Sequence, residues 1–293
     1  GIPVGSTPIS AASEQSNAYI YNNILFGDSI NFLLGLSYDD IERVTPNRTT
    51  EEWNPKFGLT WDVSQVLRLR LAAFETTKRS LIANQTLEPT EIAGFVQFYD
   101  DINDSKSKVY GIGIDGRPSS NIYTGLELQQ RDLDTPTQSG TTTTIINREE
   151  SAYKLYLNWL LSKQYALSAT YRFEDIKRES IDPTRLETAT VPIALKYSNA
   201  NGVFASAKFT HVDQEGIYES PEYAKYADNF NLVDLLLGYR LPRRLGFLTL
   251  QVNNIFDEAF TYQDYSVFRS DFFNYSPQFI PERNIYARVT LNF

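Results

Sequence analysis

Alternation of apolar and polar residues with a period of two recurs along this sequence and constrains its fold more than any other feature. It is clearest at 285–293, where Ile285, Val289 and Leu291 alternate with Arg288 and Thr290. A period of two is typical of β-strands, whose successive side chains point to opposite faces of a sheet. The alternation predicts roughly thirteen strands of about 9–13 residues. It recurs at 30–37, 57–63, 67–71, 153–159, 167–174, 190–197 and 247–253.

The predicted connections between these strands alternate between short and long. Tight turns on one side of the membrane and long loops on the other are typical of outer-membrane barrels. The sequence therefore predicts an all-β fold, a transmembrane antiparallel up-and-down β-barrel with roughly 13–14 strands in this chain, open to being part of a larger barrel. The short connections are 27–28, 64–65, 117–121, 162–164, 198–202 and 241–246, and the long ones are 45–54, 76–106, 134–149, 178–185, 213–229 and 257–282.

Two domains are predicted from the distribution of turn-forming residues. Residues 1–16 are rich in Gly, Pro and Ser and are predicted to be an N-terminal loop or linker, whereas 17–293 form the barrel. If Phe293 ends in the periplasm, the long loops are extracellular and a first strand near 18–26 runs inward from outside. Because single-chain bacterial barrels have an even number of strands, either residues 1–16 contain a further strand or, as we expect from their Gly, Pro and Ser content, further strands lie upstream of this sequence.

A soluble all-β protein, such as a sandwich, a propeller or a lipocalin-like shell, is the alternative interpretation of the same alternation. In such proteins the apolar faces point inward to a core. Aromatic residues make up 14% of this chain. Many of them lie near the ends of the apolar faces, as the girdles at the two membrane interfaces require, and this favours a lipid-facing outer surface. They include Tyr153, Trp159, Tyr165, Tyr171, Tyr197 and Tyr239.

Composition argues against an enzyme and against nucleic-acid binding. The chain has no Cys and one His, so cysteine nucleophiles are excluded and a zinc site is not expected. His211 lies on the same face as Phe209, away from the polar face, and no G-x-S-x-G segment is present. The net charge of −9, without a basic patch, argues against a nucleic-acid partner. We expect no catalytic residue, no cofactor and no metal.

The C-terminal region contains the segment Val252-Asn253-Asn254-Ile255-Phe256-Asp257-Glu258, followed by Tyr262-Gln263-Asp264. This segment resembles the penultimate-strand motif of TonB-dependent receptors of the outer membrane, and the resemblance covers roughly the last 60 residues. Pro281, Arg283 and the ending Ala287-Arg288-Val289-Thr290-Leu291-Asn292-Phe293 continue the similarity. The resemblance implies a Gram-negative outer-membrane barrel that passes or takes up a solute. It also implies that Val289, Leu291 and Phe293 form a terminal signal for the barrel-assembly machinery.

Other partners and other functions remain open at this point. The expected surroundings are the lipid bilayer and lipopolysaccharide, with a plug, an upstream domain or another envelope protein as further partners. No plug domain and no TonB box are visible in the sequence. An export barrel for polysaccharide or protein, attached to a periplasmic helical-repeat domain, is the first alternative function. An adhesin or structural barrel that binds a partner through its long surface loops is the second.

Charged residues on the polar faces are the first candidate site, because this alternation places them in the lumen. Either they select an anionic solute or hold a plug by salt bridges, or they form ion pairs with one another that satisfy the charges of a water-filled lumen. The predicted lumen-lining residues are Arg68, Arg70, Asp62, Asp115, Glu127, Lys154, Arg172, Glu174, Lys196, Lys208, Asp234, Arg240 and Arg288.

Two of the predicted long loops carry further candidates. The loop 257–283 is rich in aromatic residues, which either contact a ligand or partner or pack against one another. The loop 80–104 carries Glu88, Glu91, Asp100, Asp101 and Asp104, which either bind Ca²⁺ or, as we expect, form a solvated acidic surface. The ligand or partner candidates in the first loop are Phe260, Tyr262, Tyr265, Phe268, Phe272, Phe273 and Tyr275.

Overall fold

A computed structural model describes residues 13–44, 47–79, 86–98, 101–139, 142–179, 183–219, 225–263 and 278–292. Within these ranges nearly all regular structure is β-strand, apart from a short 3₁₀ turn at Pro242–Arg244. The strands are β1 (Ser13–Phe26), β2 (Ile30–Val44), β3 (Asn47–Ser64), β4 (Leu67–Thr77), β5 (Glu91–Ile92), β6 (Phe95–Val96), β7 (Lys106–Ser119), β8 (Ile122–Ser139), β9 (Thr142–Leu160), β10 (Tyr165–Arg178), β11 (Arg185–Ser198), β12 (Val203–Ile217), β13 (Lys225–Arg240), β14 (Gly246–Asn253) and β15 (Asn284–Leu291).

Thirteen of the strands form one antiparallel up-and-down sheet, in the order in which they follow one another along the chain. The predicted all-β fold and the expectation of roughly thirteen strands are therefore confirmed. The remaining two, β5 and β6, pair only with each other. Strands β1 and β15 are at the two edges of the large sheet, and no pairing joins them in the described ranges. Because the sheet has an odd number of antiparallel strands, its two edge strands run in the same direction.

The six predicted short connections are confirmed, and all of them lie at one end of the sheet, which we call the turn end. They occupy residues 27–29, 65–66, 120–121, 161–164, 199–202 and 241–245. The first of these turns contains Gly27 with a φ of +59°, a conformation that glycine adopts without strain.

The predicted long connections are largely wrong in their bounds. Strands β2 and β3 stay paired to Val44 and Asn47, and β8 and β9 stay paired to Ser139 and Thr142. The predicted loops 45–54, 134–149 and 213–229 are therefore mostly strand, whereas 178–185 is close to the observed connection. Backbone pairing continues where both faces of the sheet are polar, and alternation cannot reveal it there. Two long connections remain at the opposite end of the sheet, which we call the loop end, and they span 78–105 and 254–283.

The two faces of the large sheet differ in chemistry. One face exposes large apolar side chains; Ile112 is 49% exposed, Leu155 52% and Leu250 47%. The opposite face carries the β5–β6 hairpin and the polar residues of the alternation, and we call it the inner face. The apolar residues are therefore on the outer face, as the barrel prediction requires, and not in a shared core. No helix within the described ranges is sufficiently long and apolar to cross a membrane.

Strand β1 begins earlier than the predicted first strand near 18–26. Residues 13–17 pair with 39–43 of β2, so the extended backbone reaches into the segment predicted as a loop or linker. Residues 1–12 are outside the described ranges. The long β2 strand explains the difference, because its polar outer part still offers backbone partners to β1.

Candidate functional site

The β5–β6 hairpin folds back from the loop end and packs on the inner face. Its turn is formed by Ala93 and Gly94, both with positive φ, as the tightest two-residue hairpin turns require. Ile92 and Phe95 are almost fully buried against the sheet. They form an apolar cluster with Ala72, Phe74 and Val109 of the neighbouring strands β4 and β7. This segment was predicted as part of a loop, and its inward packing was not predicted.

Glycines on the inner face make room for the hairpin. A Cβ atom added to Gly111 would lie 2.6 Å from the Phe95 ring, and one added to Gly58 would lie 3.1 Å from Ile92. At Gly113 the nearest atom would be Nη2 of Arg70, at 2.8 Å. Glycine inside a strand often marks the close approach of another segment, and here it forms the floor on which the hairpin lies.

Arg70 connects the hairpin to the sheet. Its guanidinium binds Asp115 through two hydrogen bonds, Nε to Oδ2 at 2.6 Å and Nη2 to Oδ1 at 3.1 Å. It also donates to the Ala93 carbonyl at 3.3 Å and lies 5.1 Å from the centre of the Phe95 ring. Tyr156 donates its hydroxyl to the same Asp115 at 2.6 Å. Two of the predicted lumen-lining residues, Arg70 and Asp115, are thus brought together as an anchor for the hairpin.

Glu88, just before the hairpin, lies in a buried network of charges. Its carboxylate accepts a hydrogen bond from Arg79 at 2.8 Å and another from the Tyr21 hydroxyl, and Lys56 lies 3.8 Å away. Arg79 also binds Asp39 at 3.0 Å. The side chains of Glu88 and Lys56 are both 1% exposed. The expectation of a solvated acidic loop is therefore wrong at Glu88, because an inward fold places its charge among cations.

Asp101 and Asp104 of this loop are also paired with arginines. Asp101 pairs with Arg131 and with Arg148, the latter at 3.2 Å, and Asp104 pairs with Arg43. Asp100 is outside the described ranges, and Glu91 is exposed on the hairpin. Among described residues no group of three or more His, Cys, Asp or Glu side chains could hold a metal ion.

The remaining predicted lumen-lining charges lie on the inner face in pairs or singly. Arg68 pairs with Asp62 at 2.6 Å, Lys154 with Glu127 at 2.9 Å, and Lys208 with Asp234 at 2.8 Å. These pairs match the interpretation of an internally paired lumen. Glu174 also interacts with a partner. No ion pair is found within the described ranges for Arg172, Lys196, Arg240 and Arg288.

A second segment, at the start of the connection 254–283, also packs on the inner face. The Phe260 ring stacks on Phe230 of β13 with centroids 3.9 Å apart, and Tyr262 and Phe279 meet the same ring edge-on. Gln214 of β12 exchanges two hydrogen bonds with the backbone of Gln263, at 2.7 Å and 3.1 Å. Of the aromatic candidates in this loop, Phe260 and Tyr262 are thus in a packed cluster. Tyr265, Phe268, Phe272, Phe273 and Tyr275 are outside the described residues.

Tyr226, near the loop end of β13, also holds this second segment on the inner face. Its hydroxyl donates to the Thr261 carbonyl, and the Thr261 amide donates to Asp228 at 2.6 Å. Burial, and after it the nearby Asp228 carboxylate, raises the pKa of Tyr226 to about 12. The phenol therefore keeps its proton at any physiological pH and remains a donor to the loop.

Asn254 directly follows the last residue of β14 and begins the second segment. It is buried, has a φ of +50°, and its side chain makes two hydrogen bonds with the Glu258 backbone, at 2.8 Å and 2.9 Å. Its backbone amide donates to Asp234 at 3.0 Å. Three residues on, the Asp257 carboxylate accepts the Arg283 amide at 2.8 Å. The motif that suggested a family resemblance is thus a turn that directs the chain onto the inner face.

We expect Asn254→Ala to destabilise this turn by about 1–3 kcal/mol, because it removes two hydrogen bonds and places a Cβ residue without local bonding at positive φ. Amide hydrogen exchange at Glu258 measures the effect. Asn254→Gly is the matched control, since glycine tolerates the backbone conformation and loses only the hydrogen bonds. Equal protection in wild type and the alanine variant would contradict the structural role given to Asn254.

A cavity of about 390 Å³ lies between strands β12 to β14 and residues 254 and 278–280 of the connection 254–283. Its polar lining includes the Lys208–Asp234 pair and the amide side chains of Gln251 and Asn253. The carbon side is formed by residues such as Leu232 and Phe279. The alternation had suggested Lys208 and Asp234, but not the amides or the cavity itself.

Comparisons with family models and with curated proteins give no match. Solved structures of outer-membrane receptors do match this fold. The FrpB iron transporter from Neisseria meningitidis has a TM-score of 0.68 and 12% identity, and the match covers 94% of this chain and 44% of that one. The ferric-catecholate import receptor Fiu from E. coli has a TM-score of 0.64 and 12% identity, with 94% and 44% covered.

A third similar structure is the pyoverdine outer-membrane receptor FpvA from Pseudomonas aeruginosa. It has a TM-score of 0.63 and 16% identity, with 96% of this chain and 42% of that one covered. The present chain thus spans less than half the length of each of these three proteins. The resemblance drawn from the C-terminal motif is confirmed at the level of the fold: this chain has the β-barrel fold of TonB-dependent outer-membrane receptors.

Proposed function

We propose that this chain forms the barrel wall of an outer-membrane receptor that takes up a solute along its inner face. The observation that carries the proposal is the inward packing of the β5–β6 hairpin, whose anchor is built from sheet glycines and buried charges. A segment held inside in this way narrows the route along the inner face and offers groups for a solute to contact. Matched structures described as an iron transporter and an import receptor support the proposal.

The outer face supports a position in a lipid bilayer. Every strand of the thirteen-stranded sheet exposes large apolar side chains on the outer face. Such an apolar area is stable only where its surroundings are themselves apolar, because in water it promotes association. Tyr110, Tyr153, Tyr171 and Tyr239 are exposed on this face and suit the membrane interfaces.

The proposed orientation places the turn end in the periplasm and the loop end outside the cell. Six tight turns at one end and the long extensions at the other follow the asymmetry of bacterial outer-membrane barrels. Both inward-packed segments then enter from the outside, where they meet the solute before it reaches the periplasm.

Removing the hairpin tests whether solutes pass along the inner face. In cells that produce the complete protein, replacing 91–96 by a Gly–Ser linker is expected to increase outer-membrane entry of a chromogenic β-lactam several-fold. The rate of its hydrolysis by a periplasmic β-lactamase measures entry.

The matched control removes six residues from the outer ends of β8 and β9, which lie beyond the apolar band, and is expected to leave entry unchanged. Equal entry in cells with the hairpin variant, the control and wild type, at equal amounts of assembled barrel, would refute passage along the face that carries the hairpin.

A further inference from the structure

The cavity between strands β12 to β14 and the connection 254–283 has the features of a ligand site rather than of a packing defect. Its volume, about 390 Å³, is within the range of small-molecule pockets, roughly 300–1,000 Å³. It opens on the inner face, along the proposed route of the solute. Two of its lining residues are held independently of any ligand: Phe279 meets the Phe230 ring edge-on, and Asn254 is fixed by two hydrogen bonds with the Glu258 backbone. The site is thus formed in advance, which lowers the cost of binding.

The charges of the cavity cancel each other. Nζ of Lys208 lies 2.8 Å from Oδ2 of Asp234, and these are the charged residues among its described lining. Oδ1 of Asp234 accepts the Asn254 amide, so the carboxylate is fixed in place. An anionic ligand would be repelled by this carboxylate, and a cationic ligand by the ammonium group. Either ligand would lose hydration without gaining a net opposite charge. The cavity therefore favours a ligand without net charge.

The polar lining offers donors and acceptors side by side. Gln251 donates from Nε2 to Oδ1 of Asn253 at 2.8 Å. In the part of the chain that the structure describes, no side-chain hydrogen bond uses the other two polar atoms, Oε1 of Gln251 and Nδ2 of Asn253. Lys208 has further N–H groups beyond the one facing Asp234, and its side chain is 44% exposed. Neighbouring hydroxyl groups, each both a donor and an acceptor, match such a set.

The carbon side of the cavity completes the match. Leu232 and Leu236 of β13 line it beside the amides, with Leu236 paired directly to Gln251 in the sheet, and Phe279 lines it from the connection 254–283. A pyranose ring has hydroxyl groups on its edge and C–H groups on its faces, so it can satisfy both sides at once. We propose that this cavity binds a neutral saccharide, with the Lys208–Asp234 pair and the Gln251–Asn253 amides on the hydroxyl groups and Phe279 on the ring face. That this saccharide is also the solute taken up along the inner face rests on the proposed function, whereas its binding to the cavity does not.

Three probes with the same ring and different charge test the proposal: glucose, glucuronate and glucosamine. Equilibrium dialysis with the complete purified protein gives the Kd of each. Wild type is expected to bind glucose about tenfold more tightly than either charged sugar. Asp234→Asn leaves the lysine charge alone and is expected to shift the preference about tenfold toward glucuronate. Lys208→Met leaves the carboxylate and is expected to shift it toward glucosamine by a similar factor.

Glu127→Gln and Lys154→Met are the matched controls, because they break a similar inner-face pair, 2.9 Å apart, outside the cavity. They are expected to leave the preference unchanged. Ratios of Kd within one preparation do not depend on the fraction of folded protein, so a partly unfolded variant still gives an answer.

Three results would overturn the proposal. The first is no saturable binding of glucose or of the disaccharide cellobiose by wild type up to about 10 mM, ten times a Kd of about 1 mM. The second is tighter binding of a charged sugar than of glucose by wild type. The third is a preference that stays the same in the Asp234 and Lys208 variants. Binding with no β-lactam entry in any variant would refute only the proposed uptake, and entry without binding only the saccharide site.

Discussion

Glu88→Ala is expected to release the β5–β6 hairpin from the inner face. The substitution removes the carboxylate that both Arg79 and Lys56 face, and it leaves two cations in a buried site. Breaking a buried ion pair by removing one partner costs about 3–5 kcal/mol. Asp39 still pairs with Arg79, and Lys56 still donates to the Glu75 carbonyl at 2.8 Å, so we expect the lower part of that range.

Amide hydrogen exchange at Gln97 measures this release. The Gln97 amide donates to the Thr90 carbonyl at 3.0 Å, within the hairpin, and a hairpin of two such short strands is not stable in water by itself. A loss of about 3 kcal/mol corresponds to exchange roughly a hundredfold faster. Glu88→Gln should show a smaller effect, because it keeps a hydrogen-bonding acceptor of the same shape.

Glu91→Ala is the control for Glu88, since Glu91 belongs to the same hairpin and is exposed. We expect it to change exchange at Gln97 by less than about 0.5 kcal/mol in free energy. If the Glu88 and Glu91 variants exchanged at the same rate, the buried charges would not hold the hairpin in place.

Phe95→Ala is expected to destabilise the packed hairpin by about 3–5 kcal/mol. Phe95 is 2% exposed, and its ring fills the space above Gly111 and beneath Arg70. Removing it leaves a cavity among Phe74, Ile92 and Val109 and deletes the ring that the guanidinium faces. Exchange at Gln97 again measures the local free energy of opening.

Gly111→Ala tests the same contact from the sheet. Its Cβ would lie 2.6 Å from the Phe95 ring, so we expect a cost of about 1–3 kcal/mol by itself. In a Phe95→Ala background the space is empty and the same change should cost little, which gives a coupling of at least about 1 kcal/mol. Gly116→Ala, on the same strand with its nearest neighbour 3.3 Å away, is the control. Strict additivity of the two substitutions would argue against direct packing of Phe95 on Gly111.

The sequence predicted the strands and the short turns well where one side of a strand is apolar. At Ile112 and Ile114 the outer face is apolar and the inner face is glycine, so the period of two is plain. The outer parts of β8 and β9 were missed because both of their faces are polar. Pairing there depends on backbone hydrogen bonds between neighbouring strands, which leave no periodic trace in either strand alone.

The glycines on the inner face of the sheet indicate that another segment packs there, but they do not show which segment it is. Gly58, Gly111 and Gly113 lie on the inner parity of strands predicted to be close in the sheet, and glycine in a strand interior indicates a close approach. The approaching segment, with Ala93–Gly94 between apolar residues, resembled any surface loop. Which loop returns to the sheet depends on tertiary contacts, such as those of Arg70, that no local pattern encodes.

The alternation predicted the face of the sheet on which the charged candidates lie, but not the residues with which they pair. Alternation placed Arg70, Asp115 and Glu127 on one face, and the structure brings them together through the register of β4, β7 and β8. The buried partners of Glu88 were missed, because Lys56 is on β3 and Arg79, which lies in the same connection as Glu88, was not predicted to fold back onto the sheet. Charge alone therefore indicated a solvated surface where the fold has a buried network.

The length of β8 and β9 has a consequence for what this protein presents to large particles. The two strands have 18 and 19 residues, whereas a tilted strand needs only about 9–11 to cross the hydrocarbon. In the proposed orientation, the surplus of about 8 paired residues forms a stiff ribbon that rises roughly 20 Å above the lipid. Large particles such as phage would touch the outer part of that ribbon first, so substitutions there would change recognition by such particles and leave the Lys208–Asp234 cavity on β12 and β13 unaltered.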